Sequence, residues 1–174
     1  MTKKYFVYPI FLIIFYILQY VAVPLSYNGV APDFILILVV VAGIRESEKF
    51  AAVLGLIGGL LADYTSGAAF GLRGIIFMLI GYFLAILASE ALSPNILSAS
   101  VSGIAAYILT RLIYWGEHLV LMGEFSAKEM FLSVTLPEII LTLPFIPLVY
   151  AIVALLSGKR SSDDSRARRS RRAV

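Results

Sequence analysis

The sequence predicts an all-α integral membrane protein, a compact bundle of about six transmembrane helices. Three observations lead there. Of the 174 residues, 60% are hydrophobic and only 14% are charged, against about 45–50% and about 25% in soluble domains. Mean hydropathy is +0.93. The apolar residues also fall into runs of span length, because a helix rises about 1.5 Å per residue and the hydrocarbon core is about 30 Å thick.

In chain order, residues 5–25 form the first apolar run. Residues 33–44 and 50–62 are shorter and are split by Arg45, Glu46, Ser47, Glu48 and Lys49. They read as two short helices joined at one membrane face, tolerated where the bundle buries them or the bilayer thins. A re-entrant pair is the alternative. Residues 74–92 and 96–115 are plain spans. Residues 130–156 are long enough to tilt or kink, and Pro137, Pro144 and Pro147 each remove a backbone donor there. Residues 1–156 thus read as one transmembrane domain. Residues 157–174 form a serine- and arginine-rich tail, too polar to bury a core and therefore disordered.

Six spans put both termini on one side. Lys3, Lys4, Arg45, Lys49 and the tail then share a face, while Arg73 and Lys128 lie on the other. Basic residues mark the cytoplasmic side, so both termini are expected in the cytoplasm. Arg166, Arg168, Arg169, Arg171 and Arg172 suit anionic lipid headgroups, at about 1 kcal/mol per basic residue near the surface. Read more plainly, they anchor the topology. The net charge of +3 comes from these membrane-flanking residues and is no nucleic-acid signal.

The chain has no cysteine, which excludes disulfides and thiolate metal sites, and its one histidine is His118. There is no HExxH and no nucleophile with a histidine partner inside a span. No catalytic residue, cofactor or metal is expected.

Asp63 is the most telling residue. It closes the uncharged run 50–62 and opens a glycine-rich segment holding Gly67, Gly71 and Gly74. A carboxylate near a bilayer boundary costs a few kcal/mol unless hydrated or paired, which makes it a functional-site hypothesis. Ala51, Gly55, Gly59 and Asp63 are spaced by four and share one helix face. Small residues so spaced let two backbones approach closely. This seam either packs within the chain or receives a partner's transmembrane helix. Asp63 would then take a hydrogen bond from the partner, or from Tyr64, Thr65 or Ser66.

Weaker seams run through Gly81, Ala85 and Ser89, and through Ser98, Ser102 and Ala106. Asp33 fits the first turn of a helix, where an acid complements the dipole. Arg111 either snorkels to the surface or pairs with an acid of another span such as Asp63. Glu138 either lines a cavity or bonds into the bundle. Residues 116–129 read as a surface loop, and Tyr107, Tyr114 and Trp115 as an interfacial aromatic belt.

The stretch with Pro32 and Asp33, then Gly55, Gly58, Gly59 and Leu60, then Asp63, Gly67, Gly71, Leu72 and Gly81 resembles the MreD family of the bacterial rod-shape machinery. The likeness extends over nearly all of residues 1–156. It implies a non-enzymatic scaffold in the bacterial cytoplasmic membrane. Such a subunit works with the bitopic protein MreC and, indirectly, with MreB filaments, a SEDS glycosyltransferase and a penicillin-binding transpeptidase in lateral peptidoglycan synthesis. Gly55, Gly58, Gly59, Asp63, Gly67, Gly71 and Arg111 become partner-interface candidates. The family's fold is similar to the substrate-binding subunits of energy-coupling-factor vitamin transporters, so such a transporter subunit is the alternative. Those subunits typically carry an AxxxA face on their first span, and residues 5–20 here contain no alanine.

Overall fold

A computed structural model describes residues 2–21, 32–66, 71–90, 95–122 and 131–157. The described residues are helical apart from 32–33, 46–47, 71, 95 and 143–144. The helices are α1 (Thr2–Val21), α2 (Phe34–Arg45), α3 (Glu48–Ser66), α4 (Leu72–Glu90) and α5 (Ile96–Met122). A π-helical turn, Phe131–Thr135, then leads into α6 (Leu136–Thr142) and α7 (Phe145–Ser157).

The centre of the bundle is α2. Every residue from Phe34 to Arg45 is buried, none more than 7% exposed. A helix that is apolar on all sides belongs inside its bundle, and FILILVVVAGI offers no polar face to turn outward. α1, α3, α4, α5 and α7 surround it. Asp33 caps its start, accepting the Leu36 N–H at 2.9 Å. Its other end turns at once into α3 through Glu46 and Ser47.

α3 and α4 form the tightest pair, packed antiparallel. Cβ atoms built at Gly55, Gly59 and Gly81 would come closer than 3.0 Å to the backbones of Phe77, Arg73 and Ala51. Gly43 of α2 joins the same close packing, 3.2 Å from the Gly81 carbonyl by the same construction. The small-residue face of α3 is therefore an internal seam against α4.

Three segments are long and apolar enough to cross a membrane: Leu72–Glu90, Ile96–Gly116 and Leu136–Leu156. Phe6–Gln19 and Phe34–Arg45 are shorter apolar helices. Two boundaries differ from the sequence expectation. α3 begins before residue 50 and ends after residue 62 because Glu48, Asp63 and their neighbours continue the helix. α5 runs through Gly116 and His118 to Met122, where a loop was expected. No proline stops it, and Leu119, Leu121 and Met122 are good helix formers.

Candidate functional site

Charged and phenolic side chains gather where α2 begins, α3 ends and α4 begins. Asp63 is 2% exposed. Its Oδ2 accepts the Gly71 N–H at 2.8 Å and the Arg73 N–H at 3.0 Å. The N–H groups at a helix start have no intrahelical acceptor, and the dipole there favours negative charge. Asp63 is thus the cap of the next helix, supplied from the end of the previous one. The sequence expectation placed donors at Tyr64, Thr65 or Ser66, and the side chains of Thr65 and Ser66 lie outside the described residues. Those residues lie in the last turn of α3, where their backbone N–H groups point back into their own helix.

Gly71 makes the geometry available. Its φ of +100° is a left-handed value that costs an L-residue strain, and a Cβ there would touch nothing within 4 Å. Gly71→Ala should therefore cost about 1–2 kcal/mol through the backbone alone. Thermal unfolding of the purified protein checks this, and an unchanged midpoint would refute it.

Arg73 follows directly. Its Nε lies 3.7 Å from Asp63 Oδ1, and its guanidinium stands 5.4 Å from the centre of the Tyr114 ring. Arg111 approaches the same ring, 5.9 Å away, and lies 5.3 Å from the ring of Tyr107. Arg111 Nε also donates to the Tyr107 hydroxyl at 2.9 Å. An ion pair joins Arg111 to Glu138, which is 5% exposed. The partner of Arg111 is thus Glu138 rather than Asp63, whose flank Arg73 already occupies. Glu138 bonds into the bundle. Pro137 has no N–H to give and crowds the carbonyl four residues back. The wider π-helical turn before it accommodates that crowding at the start of α6.

Asp63, Arg73, Tyr114, Arg111 and Glu138 therefore form one chain of contacts linking α3, α4, α5 and α6. Arg73, Tyr107, Tyr114 and Glu138 were not among the site candidates. Tyr107, Arg111 and Tyr114 fall at i, i+4 and i+7, one helix face, and that spacing was the available signal.

At the opposite end a second polar group ties α1 and α7 to the α2–α3 turn. The Tyr8 hydroxyl donates to Glu46 Oε1 at 3.0 Å, and Arg45 stands 5.4 Å from the Tyr150 ring centre.

Among the remaining candidates, Gly55 and Gly59 face α4, and Gly58 faces Ile35 and Leu12. Gly67 and the tail arginines Arg166, Arg168, Arg169, Arg171 and Arg172 lie outside the described residues. Among the described residues, no three histidine, aspartate or glutamate side chains converge as metal ligands.

The family model for rod shape-determining protein MreD matches residues 1–156. The chain belongs to the MreD family. The match takes in every described helix up to α7, and both polar ends fall within it. Membership makes this a membrane protein with a role in rod-shape determination. No curated protein and no solved structure matches the chain.

Proposed function

We propose that this protein is a non-enzymatic membrane scaffold of the cell-elongation machinery that binds an MreC-like bitopic protein and supports lateral peptidoglycan synthesis. The family match over residues 1–156 carries the reading. MreB filaments, the SEDS glycosyltransferase and the penicillin-binding transpeptidase are reached through that partner. The chain sits in the bacterial cytoplasmic membrane as one multi-pass domain with both termini in the cytoplasm. The Asp63 end faces outward, and the arginines of residues 157–174 meet anionic lipid.

In this reading Gly55, Gly58, Gly59, Gly71, Asp63 and Arg111 serve the partner through shape. They hold the α3–α4 hairpin and the helices beside it, and Gly67 is proposed as an interface residue from the sequence alone. Tyr64, 78% exposed beside buried Asp63, is one side chain this hairpin presents.

An affinity pull-down of tagged protein from native membranes in mild detergent tests the proposal. Recovery of the MreC-like protein with cell-wall synthases is the expected result. Recovery of an ATPase pair with a coupling membrane subunit would replace it with the transporter reading.

Asp63→Leu removes two hydrogen bonds to a carboxylate, about 1.5–3 kcal/mol each. The variant should insert, yet recover several-fold less MreC-like protein. Asp63→Asn, whose amide oxygen accepts the same two N–H groups, should recover most of it. Equal recovery by the leucine variant and the unaltered protein would remove Asp63 from the proposal.

A further inference from the structure

α4 and α5 are consecutive helices, yet they touch only sparingly. Between them runs an apolar groove of about 280 Å³. Its walls extend from Ile76 to Leu84 along α4 and from Ala105 to Ile113 along α5. Each wall is about 12 Å long at ~1.5 Å per residue. A hydrocarbon chain, whose carbons meet their neighbours at about 4 Å, can lie along apolar walls of this length.

One end of the groove is polar. Arg73 precedes Ile76 by three residues and so lies about one turn beyond the apolar lining on the same side of α4. Its guanidinium reaches across to Tyr114, the neighbour of Ile113, so that a cation bridges the groove's mouth. Asp63 approaches its Nε edge and orients it, while 24% of the side chain remains accessible. A planar guanidinium so held suits a phosphate oxygen. An apolar slot with a fixed arginine one turn beyond it matches the arrangement of a phospholipid, in which the headgroup phosphate stands just above the acyl chain.

We propose that the α4–α5 groove binds one acyl chain of a membrane phospholipid, with the lipid phosphate on Arg73. This site is separate from the arginine-rich tail, and it holds whichever protein partner the chain recruits.

Native mass spectrometry tests it on the full chain. The protein is equilibrated with detergent-solubilised dioleoylphosphatidylglycerol and then washed in detergent. One retained phospholipid per chain is expected. Ala105 is exposed in the groove, so Ala105→Phe blocks the slot without crowding the core. Retention should fall at least tenfold. Leu79→Trp fills the slot from the opposite wall and should act alike, which guards against misfolding of either variant. Dioleoylglycerol, with the same chains and no phosphate, should be retained at least tenfold less than the phospholipid, and Arg73→Gln should abolish that preference. No lipid on the unaltered chain, or undiminished retention by both groove variants, would overturn the groove assignment. Equal retention of dioleoylglycerol and the phospholipid would overturn the assignment of phosphate to Arg73.

Discussion

Gly59→Leu is expected to lower the thermal midpoint in detergent by roughly 6–12 °C, the shift that about 3 kcal/mol produces in a chain of this size. Overpacking a core usually costs about 1–3 kcal/mol, because side chains must leave their rotamers. At Gly59 even the Cβ would meet backbone, the Arg73 carbonyl and the Gly74 nitrogen. Backbone cannot rotate aside, so α3 and α4 must separate. That separation also pulls Asp63 from the start of α4, because the seam and the cap lie on the same pair of helices. Gly59→Ala should already show a smaller loss of the same kind.

Gly116 provides the control. It lies within α5, with nothing within 4 Å of a Cβ. Gly116→Ala should be neutral or stabilising by about 0.5–1 kcal/mol, since glycine is a poor residue inside a helix. Parallel melts of the two alanine variants decide the matter. Equal behaviour would mean that the seam is not the close contact described.

Arg111→Met should have the second large effect, about 3–5 kcal/mol. Removing one partner of a buried pair leaves the other charge uncompensated, and this generally costs more than the intact pair contributes. Glu138, 5% exposed, would be left buried without its ion-pair partner. Replacing both, as Arg111→Met with Glu138→Leu, should recover most of the loss, because no buried charge remains. A double-mutant cycle on heat-treated, detergent-solubilised protein measures this. Additive losses from the two changes would show that the residues do not act as a pair. Persisting partner recovery in the double variant would place the pair in stability alone.

The spans were legible because hydropathy is a local property. Residues 74–92 and 96–115 read as helices from composition; α4 covers nearly the first of these stretches, and α5 covers the second and runs on to Met122. Pro144 announced the break between α6 and α7, since a proline has no N–H to continue the helix. The four-residue spacing of Ala51, Gly55, Gly59 and Asp63 revealed a seam and a face. It did not reveal what the seam meets, because a glycine stripe looks the same whether the opposing helix is near in the chain or in another protein. The polar pairings were hidden for a related reason. Arg111 had acids available on several helices, and only the lateral order of α3, α4, α5 and α6 put Glu138 beside it and Arg73 beside Asp63.

By itself, the sequence determined the medium, the helices and the residues too polar to be placed there without partners. Each of these follows from side-chain chemistry summed over a window of neighbours. The tertiary structure alone decided that α2 is the buried axis, that the glycine seam closes between α3 and α4, and that Asp63 caps the helix following its own. Such outcomes depend on which backbones approach one another, and that is settled by packing among helices distant in the chain.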